Sequence, residues 1–217
     1  MNGKNIDAAK HIDEMISRYP ALAVCKEDIA AAFGVLKSAY MSNHKLLVAG
    51  NGGSAADAEH IAGELMKKFR LTRHVPADLA GKLTEIDPER GRKLADNLEQ
   101  SLTAIPLVTC EAITMAYMND VDAIGVFAQQ LYGFGREGDV FLGISTSGNS
   151  ENVISAAITA HALGIKVIAL TGQTGGKLAG FADVAIKVPE TETYRIQELH
   201  LPVYHCLCMM LEEEFFG

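Results

Sequence analysis

The sequence has no long apolar run, no excess of basic residues and no signal-peptide pattern, and each absence excludes a class of protein. No stretch reaches the roughly 18 apolar residues that a membrane span needs, and the N-terminal MNGKNIDAAKHIDEM has no apolar core. Its 19 basic and 27 acidic residues give a net charge of -8, which argues against binding anionic nucleic acids or membranes. We therefore expect a soluble, cytoplasmic protein with no nucleic-acid or membrane partner.

Cysteine is scarce, and its spacing is not that of a metal or redox motif. The chain has four cysteines, two of them in HCLCMM inside an apolar segment. None forms the paired CxxC spacing of a zinc ribbon or a thiol-disulfide exchange site. We predict buried, reduced thiols.

Five apolar segments bounded by turn residues predict the strands of a sheet: KLLVAG, AIPLVT, GDVFLGI, KVIALTG and ADVAIKV. Each is followed by a helix-like segment or a loop, an alternation typical of a mostly parallel sheet with helices on both faces. No linker rich in Pro, Gly and Ser divides the chain, so we predict a single α/β domain over 1–217, doubly wound, with three αβα layers.

Helical periodicity predicts two further features at the ends of the chain. N-terminal helices are expected within 1–42, before the first strand. The last segment, 194–216, reads as one long helix, in which Pro202 should cause a kink or lie near the first turn. His200, on this apolar helix, is predicted to be a satisfied core histidine.

Two strand-to-helix loops are rich in glycine and hydroxyl side chains. The first spans 50–54 and the second 145–150. Backbone N–H groups at a helix start are unpaired and lie at the positive end of the helix dipole, so each loop can cradle an anion. In an open parallel sheet both loops lie beyond the carboxyl ends of the strands, where ligands bind. The predicted phosphate cradle consists of Ser145, Thr146, Ser147 and Ser150.

Two other interpretations of these loops are weaker. Ser150 could be only an N-cap and the rest a turn. A nucleotide is also disfavoured, although GNGGSA fits G-x-G-x-x-A, because the acidic residue needed about 20 residues later is replaced by the basic KKFRLTRHV. Neither loop ends in the Gly-Lys-Ser/Thr of a Walker A motif.

Four motifs resemble a known family in order and spacing: GNGGSAADAEHIAGEL, GISTSGNSENV, LTGQTGGKLAG and RIQELHLPVYH. From Lys45 onward the chain is similar to the SIS (sugar isomerase) domain proteins, and most closely to the sedoheptulose 7-phosphate (phosphoheptose) isomerases. The resemblance implies an SIS-type five-stranded fold and an aldose-ketose isomerase. Such enzymes convert sedoheptulose 7-phosphate into D-glycero-D-manno-heptose 7-phosphate through an enediol, for heptose nucleotide sugar biosynthesis. It also implies a cytoplasmic homotetramer with one zinc ion per subunit.

The resemblance assigns roles to individual residues as well. The family's acid/base pair matches Glu64 and His205, and its metal ligands match His60, Glu64, Gln197 and His205. Its substrate-binding residues match Asn51, Gly52, Gly53, Ser54, Glu64, Asn119, Asp120, Ser145, Thr146, Ser147, Ser150 and Gln197.

Side-chain chemistry agrees with these roles, but the spacing raises one difficulty. Glutamate and histidine can supply the base and acid that enediol formation needs, and His60 and Glu64, four apart, share a helix face, as an ordinary exposed pair would. Gln197 and His205 are about 12 Å apart along a helix, too far for one zinc. Either the helix begins or bends between them, or the ligands come from different subunits. We favour a site shared between subunits.

Segment 67–104 departs from the family pattern, because the chain is longer here, by about two dozen residues, than better-known heptose isomerases. We predict a helical insertion rich in basic residues. It is either a solvated charged face or a lid or partner-binding extension that changes which sugar phosphate is accepted. The basic residues are Lys67, Lys68, Arg70, Arg73, Arg90, Arg92 and Lys93.

Two alternative functions stay open. The chain could be a non-catalytic SIS protein that binds a sugar phosphate or the replication initiator. The initiator-binding relatives lack the glutamate and the final histidine that stand here as Glu64 and His205, and no helix-turn-helix candidate precedes the sheet, so we favour catalysis. It could also be an isomerase of another sugar phosphate, such as a pentose or hexose phosphate, since the loops bind phosphate and hydroxyl groups and do not select for the length of the sugar.

Overall fold

A computed structural model describes residues 3–217 and contains one five-stranded sheet in the order β2-β1-β3-β4-β5. All four strand pairings are parallel. The predicted α/β fold and its five strand segments are confirmed. The strands are β1 (Leu46–Ala49), β2 (Ala104–Pro106), β3 (Val140–Ser145), β4 (Lys166–Thr171) and β5 (Val184–Lys187).

The helices cover both faces of this sheet. They are α1 (Ala8–Arg18), α2 (Lys26–Met41), α3 (Gly53–Met66), α4 (Ala77–Ile86), α5 (Arg90–Asn97), α6 (Glu111–Asp120), α7 (Val126–Phe134), α8 (Glu151–Ala162) and α9 (Thr193–Phe216). Short 3₁₀ helices lie at Pro20–Cys25 and Leu178–Phe181. Among the described residues, no helix is both long and apolar enough to cross a membrane.

Alternate residues of each strand pack into two separate hydrophobic cores, one on each face of the sheet. In β1, Leu46 and Val48 pack with α1, α2, α3 and α9, whereas Leu47 and Ala49 pack with α7 and α8. Successive side chains of a strand point to opposite faces. Both faces are therefore buried, which is why these strands read as continuous apolar runs.

The strand order places the two predicted loops side by side. The chain winds outward from β1 in one direction to β2 and in the other to β3, so the order reverses between β1 and β3. In open α/β sheets the crevice at such a reversal is the usual ligand site. The loops after β1 and β3 flank this crevice.

Segment 67–104 forms a surface hairpin of α4 and α5. No residue of α4 is buried, and only Gly91 of α5 is. A Cβ on Gly91 would overlap the Leu83 carbonyl, so the glycine lets the two helices pack closely. An antiparallel bridge between His74 and Glu99 joins the ends of the hairpin at its base.

The cysteine prediction holds for three of the four thiols. Cys25, Cys206 and Cys208 are buried and unpaired, and Cys110 is half-buried. Burial raises the pKa of Cys25 to about 11 and that of Cys206 to about 12. These thiols stay protonated at neutral pH and act as core residues.

Candidate functional site

The loop at 145–150, here called the hydroxyl loop, joins β3 to α8. Ser145, the last residue of β3, is buried, and its hydroxyl lies 2.9 Å from that of Ser150. Ser150 precedes α8, but its side chain makes no capping hydrogen bond. Ser150 is thus the N-cap residue of α8 by position, but its hydroxyl does not cap the helix. Its hydroxyl is paired beside the first turn of α8, where it can meet an anion.

The motif LTGQTGGKLAG forms a wall behind the hydroxyl loop. Gly148 has φ +67°, and a Cβ there would overlap the Gly175 carbonyl. The Gly148 carbonyl accepts a hydrogen bond from the Leu178 amide at 2.9 Å, and the Asn149 side chain accepts one from the Lys177 amide at 3.1 Å. Paired glycines thus allow two loops to pack backbone to backbone and hold the hydroxyls in place.

Gly148→Ala is predicted to lower the free energy of unfolding by about 2 kcal/mol or more, because the positive φ and the overlap with Gly175 both oppose a Cβ. The matched control is Gly34→Ala in α2, where a Cβ meets no atom within 4 Å. That change should stabilise the helix by about 0.5–1 kcal/mol. Urea denaturation of both variants measures the difference, and equal effects would contradict the packing described.

The loop at 50–54, here called the glycine loop, is tied to the hydroxyl loop by a pair of side chains. Asn51 and Asn152 exchange two amide hydrogen bonds of 2.9 Å each. Gly52 has φ +56°, a conformation that disfavours other residues. Asn152 was not predicted, and its only signal was a polar residue in the first turn of α8. The two loops form one cradle.

Gln197 lies at this cradle rather than with the other predicted metal ligands. A Cβ on Gly53 would come within 2.5 Å of the Gln197 Nε2, so the amide lies against the start of α3. Because α9 begins at Thr193 and continues through Pro202, the expectation that the helix begins between Gln197 and His205 is wrong. The predicted long helix with Pro202 inside it is confirmed, and of the two alternatives for Pro202 the place near the first turn is excluded.

Asn119 and Asp120 end α6 and are exposed. Their side chains hydrogen-bond to each other at 2.7 Å. Within residues 3–217 neither side chain makes a hydrogen bond to either loop. Their predicted role in substrate binding stays a prediction.

His60, Glu64 and His205, here called the acid/base cluster, meet between α3 and α9. The His60 Nε2 lies 3.2 Å from Glu64 Oε1 and 3.4 Å from the His205 Nε2. The Glu64 side chain is only 13% exposed and also pairs with Lys67 at 3.1 Å. The predicted pair is therefore more than a surface i,i+4 contact.

His205 has the properties of a neutral proton carrier. Burial lowers its pKa, the charge of His60 lowers it further, and Glu64 opposes both. A neutral imidazole has one N–H donor and one acceptor nitrogen, so it can accept one proton and release another. A cavity of about 300 Å³ opens beside His205, and Arg18 and Arg70 also line it.

The cradle and the acid/base cluster lie at opposite ends of α3. Glu64 follows Gly53 by eleven residues, which is about 16 Å along a helix. Asn51 and Gln197 lie at the first end, His60 and His205 toward the second. Within one chain the structure therefore does not bring the predicted phosphate loop and the predicted base together.

The acid/base cluster has part of a zinc site. Two imidazoles and a carboxylate are ligands that zinc takes. The His60 Nε2 is also so close to Glu64 Oε1 and the His205 Nε2 that a proton or a cation must lie between them. Within residues 3–217, however, no group of three or more His, Cys, Asp or Glu side chains could hold a metal ion, and Gln197 lies elsewhere. One chain alone does not provide a complete zinc site.

His200 differs from its prediction in one respect. It is fully buried, as expected of a core histidine, and burial lowers its pKa to about 4. Neither ring nitrogen has a hydrogen-bond partner in the part of the chain that the structure describes. The Thr171 backbone lies close enough to oppose the lowering of its pKa, so the histidine is a core residue as predicted but is at most weakly satisfied.

Comparison with known sequences identifies similar proteins over most of the chain. The model of the SIS domain family matches residues 10–105 and 98–172. A phosphoheptose isomerase of Sulfurimonas denitrificans is 40% identical over 178 residues, covering 82% of this chain and 78% of that protein. A phosphoheptose isomerase of Aneurinibacillus thermoaerophilus is 41% identical over 177 residues, covering 82% and 76%.

Comparison with solved structures gives the same result. A phosphoheptose isomerase from Neisseria gonorrhoeae superposes with a TM-score of 0.72 at 36% identity, covering 94% of this chain and 96% of that one. A phosphoheptose isomerase from Francisella tularensis gives 0.69 at 30% identity, covering 93% and 98%. Sequence similarity to these relatives thus covers 82% of the chain, and structural similarity covers 93–94% of it.

Proposed function

Since this chain belongs to the phosphoheptose isomerase family of SIS-domain proteins, we propose that it converts sedoheptulose 7-phosphate into D-glycero-D-manno-heptose 7-phosphate for heptose nucleotide sugar biosynthesis. The observation that carries the proposal is the meeting of His60, Glu64 and His205 at one point between α3 and α9. A family member that only binds sugar phosphates has no need of a carboxylate and two imidazoles in contact.

The cradle binds the phosphate end of the substrate. The hydroxyls of Ser145 and Ser150, with Thr146 and Ser147 beside them, donate to phosphoryl oxygens, and the start of α8 adds unpaired backbone N–H groups at the positive end of its dipole. The side-chain amide of Asn51 lies in the same cradle. It can exchange its hydrogen bonds with Asn152 for hydrogen bonds with hydroxyl groups of the sugar.

The acid/base cluster performs the proton transfers. The Glu64 carboxylate removes a proton from C1 of the ketose and returns it to C2 of the enediol. His205 donates a proton to the oxygen on C2 and accepts the proton from the oxygen on C1. The net change moves one carbon-bound and one oxygen-bound proton, and the enzyme returns to its starting state.

The site is shared between subunits of a homotetramer. Gly53 and Glu64 are separated by about 16 Å along the axis of α3, and this separation supports a site in which the cradle of one subunit faces the cluster of another. Large apolar side chains exposed on and just after α6 support such contacts. They are Ile113, Met115, Met118, Val121 and Ile124.

The same sharing would complete the proposed metal site. Within the described part of one chain, His60, Glu64 and His205 do not form a metal-binding group. Completed by Gln197 of the partner subunit, they would hold one zinc ion per subunit, which would polarise the substrate carbonyl as a Lewis acid. The short separations within the cluster and the position of Gln197 in the cradle, at the other end of α3, support this arrangement. The enzyme is proposed to act in the cytoplasm.

The function is tested by incubating the purified full chain with sedoheptulose, arabinose, ribulose and fructose phosphates and following the sugars by NMR. We expect conversion of the heptulose phosphate to its aldose, and, in D₂O, deuterium incorporation at the carbon that exchanges its proton. Turnover of only a pentose or hexose phosphate would identify the enzyme as an isomerase of another sugar. Binding without any turnover would favour the non-catalytic SIS protein.

A further inference from the structure

Tyr204 of α9 lies between two polar side chains of α3. Its hydroxyl is 3.0 Å from the His60 Nδ1 and donates a hydrogen bond of 3.2 Å to Asp57 Oδ1. Asp57 and His60 are three residues apart, so they share one helix face. The three side chains form a line that ends at the acid/base cluster. Asp57 and Tyr204 lie within two of the family-like motifs, but neither was predicted to have a role.

The middle of this line is buried, whereas Asp57 is half-buried and His60 is exposed at its outer end. Tyr204 is 2% exposed, and the second carboxyl oxygen of Asp57 is buried without a partner in the described residues. The rings of Tyr204 and His60 pack edge to face at 5.4 Å. Burial raises the pKa of Tyr204, and the nearby Asp57 charge raises it further, so the hydroxyl keeps its proton.

Proton counting sets the direction of the two hydrogen bonds. A tyrosine hydroxyl has one proton to donate, and a carboxylate can only accept. When Tyr204 donates to Asp57, its oxygen is left to accept, so the His60 Nδ1 must carry a proton. The lone pair of a neutral His60 then lies on Nε2, where it accepts the N–H of the His205 Nε2 at 3.4 Å, while Lys67 offsets the charge of the Glu64 carboxylate beside it.

We propose that Asp57 and Tyr204 are positioning residues that hold the proton of His60 on Nδ1 and so present its Nε2 lone pair to the acid/base cluster. The link to catalysis rests on the proposed function, because only that function makes His60 part of an active site. The hydrogen-bond direction itself does not depend on any substrate.

The experiment determines directly which ring nitrogen of His60 carries the proton. Protein labelled with ¹⁵N-histidine, free of metal and substrate, is measured by NMR at about pH 9, where ordinary histidines are neutral. His60 is assigned by its loss in His60→Gln among the seven histidines. We expect the proton on Nδ1.

In Asp57→Ala the freed Tyr204 hydroxyl donates to Nδ1 and the proton moves to Nε2, whereas Asp57→Asn, which keeps an acceptor oxygen, retains the original form.

Tyr204→Phe keeps the ring and removes the hydroxyl that links Asp57 to His60. It should lower kcat by about 10- to 100-fold with little change in KM. The matched control is Tyr40→Phe, another buried tyrosine, whose hydroxyl donates to the Thr103 carbonyl at 3.1 Å. It should change neither kcat nor the His60 spectrum. Thermal melts of both variants check that each folds.

A proton on Nε2 in the wild type overturns the proposal, as does a spectrum that is the same in Asp57→Ala and the wild type. An inactive wild-type protein with the proton on Nδ1 would count against the proposed function only. The two failures are therefore distinguishable.

Discussion

Glu64→Gln lowers kcat for the proposed isomerisation by about 10²- to 10⁴-fold, the usual contribution of a general acid or base, and leaves substrate binding largely intact. The amide has nearly the same shape as the carboxylate but cannot accept the proton from carbon. In the structure Glu64 is the carboxylate of the cluster, and its side chain is mostly shielded from solvent beside His60. The measurement is a steady-state assay together with substrate titration by calorimetry.

Glu59→Gln is the matched control, because Glu59 is exposed on the same helix. It should have nearly wild-type kcat and KM. Metal content is measured for both variants, so that a lost ligand is separated from a lost base. Wild-type turnover in Glu64→Gln would show that another group takes the proton.

The same variant tests whether the site is shared. Glu64→Gln is mixed with a Ser145→Ala, Ser150→Ala double variant, and the mixture is dissociated and reassembled. If one subunit supplies the cradle and another the acid/base cluster, some sites in mixed oligomers combine two intact halves, and activity that neither parent has reappears. If each site lies within one chain, every site keeps a defect and the mixture stays inactive.

The features that the sequence predicted well are those encoded by local patterns. Buried parallel strands such as Val140–Ser145 are unbroken apolar runs. Glycine and hydroxyl residues at the end of a strand indicate a ligand-binding loop, whatever the sequence of the next helix. The pairing of His60 with Glu64 follows from helix periodicity alone. Each of these signals is contained within a few residues.

The features that were missed depend on contacts between distant parts of the chain. Tyr204 reaches His60 across 144 positions, and Asn152 reaches Asn51 across 101. In a helix that is apolar on most sides, nothing in the pattern distinguishes Tyr204 from an ordinary core residue. The long C-terminal helix with Pro202 inside it was predicted correctly, and the packing of α9 on the sheet and on α1, α2 and α3 outweighs the hydrogen bond that a proline removes.

A buried ion pair holds together the end of α3, the base of the α4–α5 hairpin and α9. Arg73 and Glu212 have side chains no more than 1% exposed and approach to 2.8 Å. Arg73 also donates to the carbonyls of Leu65 at 2.7 Å and Glu64 at 3.1 Å, which satisfies the end of the helix that carries the base. The Glu212 carboxylate in turn accepts the backbone N–H groups of residues 69 and 70.

Arg73→Met is predicted to lower the free energy of unfolding by about 3–5 kcal/mol, because it leaves the Glu212 charge buried without its partner. Urea denaturation at a fixed protein concentration measures the loss, since subunit association also contributes to stability. Asp78→Asn is the control, as its ion pair with Lys82 is 70% exposed on both sides and should contribute little.

The double variant separates the charge from the shape of the site. Glu212→Gln removes the charge that Arg73 neutralises and keeps an oxygen for only one of the two backbone N–H groups, because residues 69 and 70 donate to different oxygens of Glu212. In Arg73→Met with Glu212→Gln no charge is left buried, so the combined loss should be smaller than the sum of the two single losses. Additive losses would mean that the two side chains stabilise the end of α3 independently, and that the pair does not act as one unit.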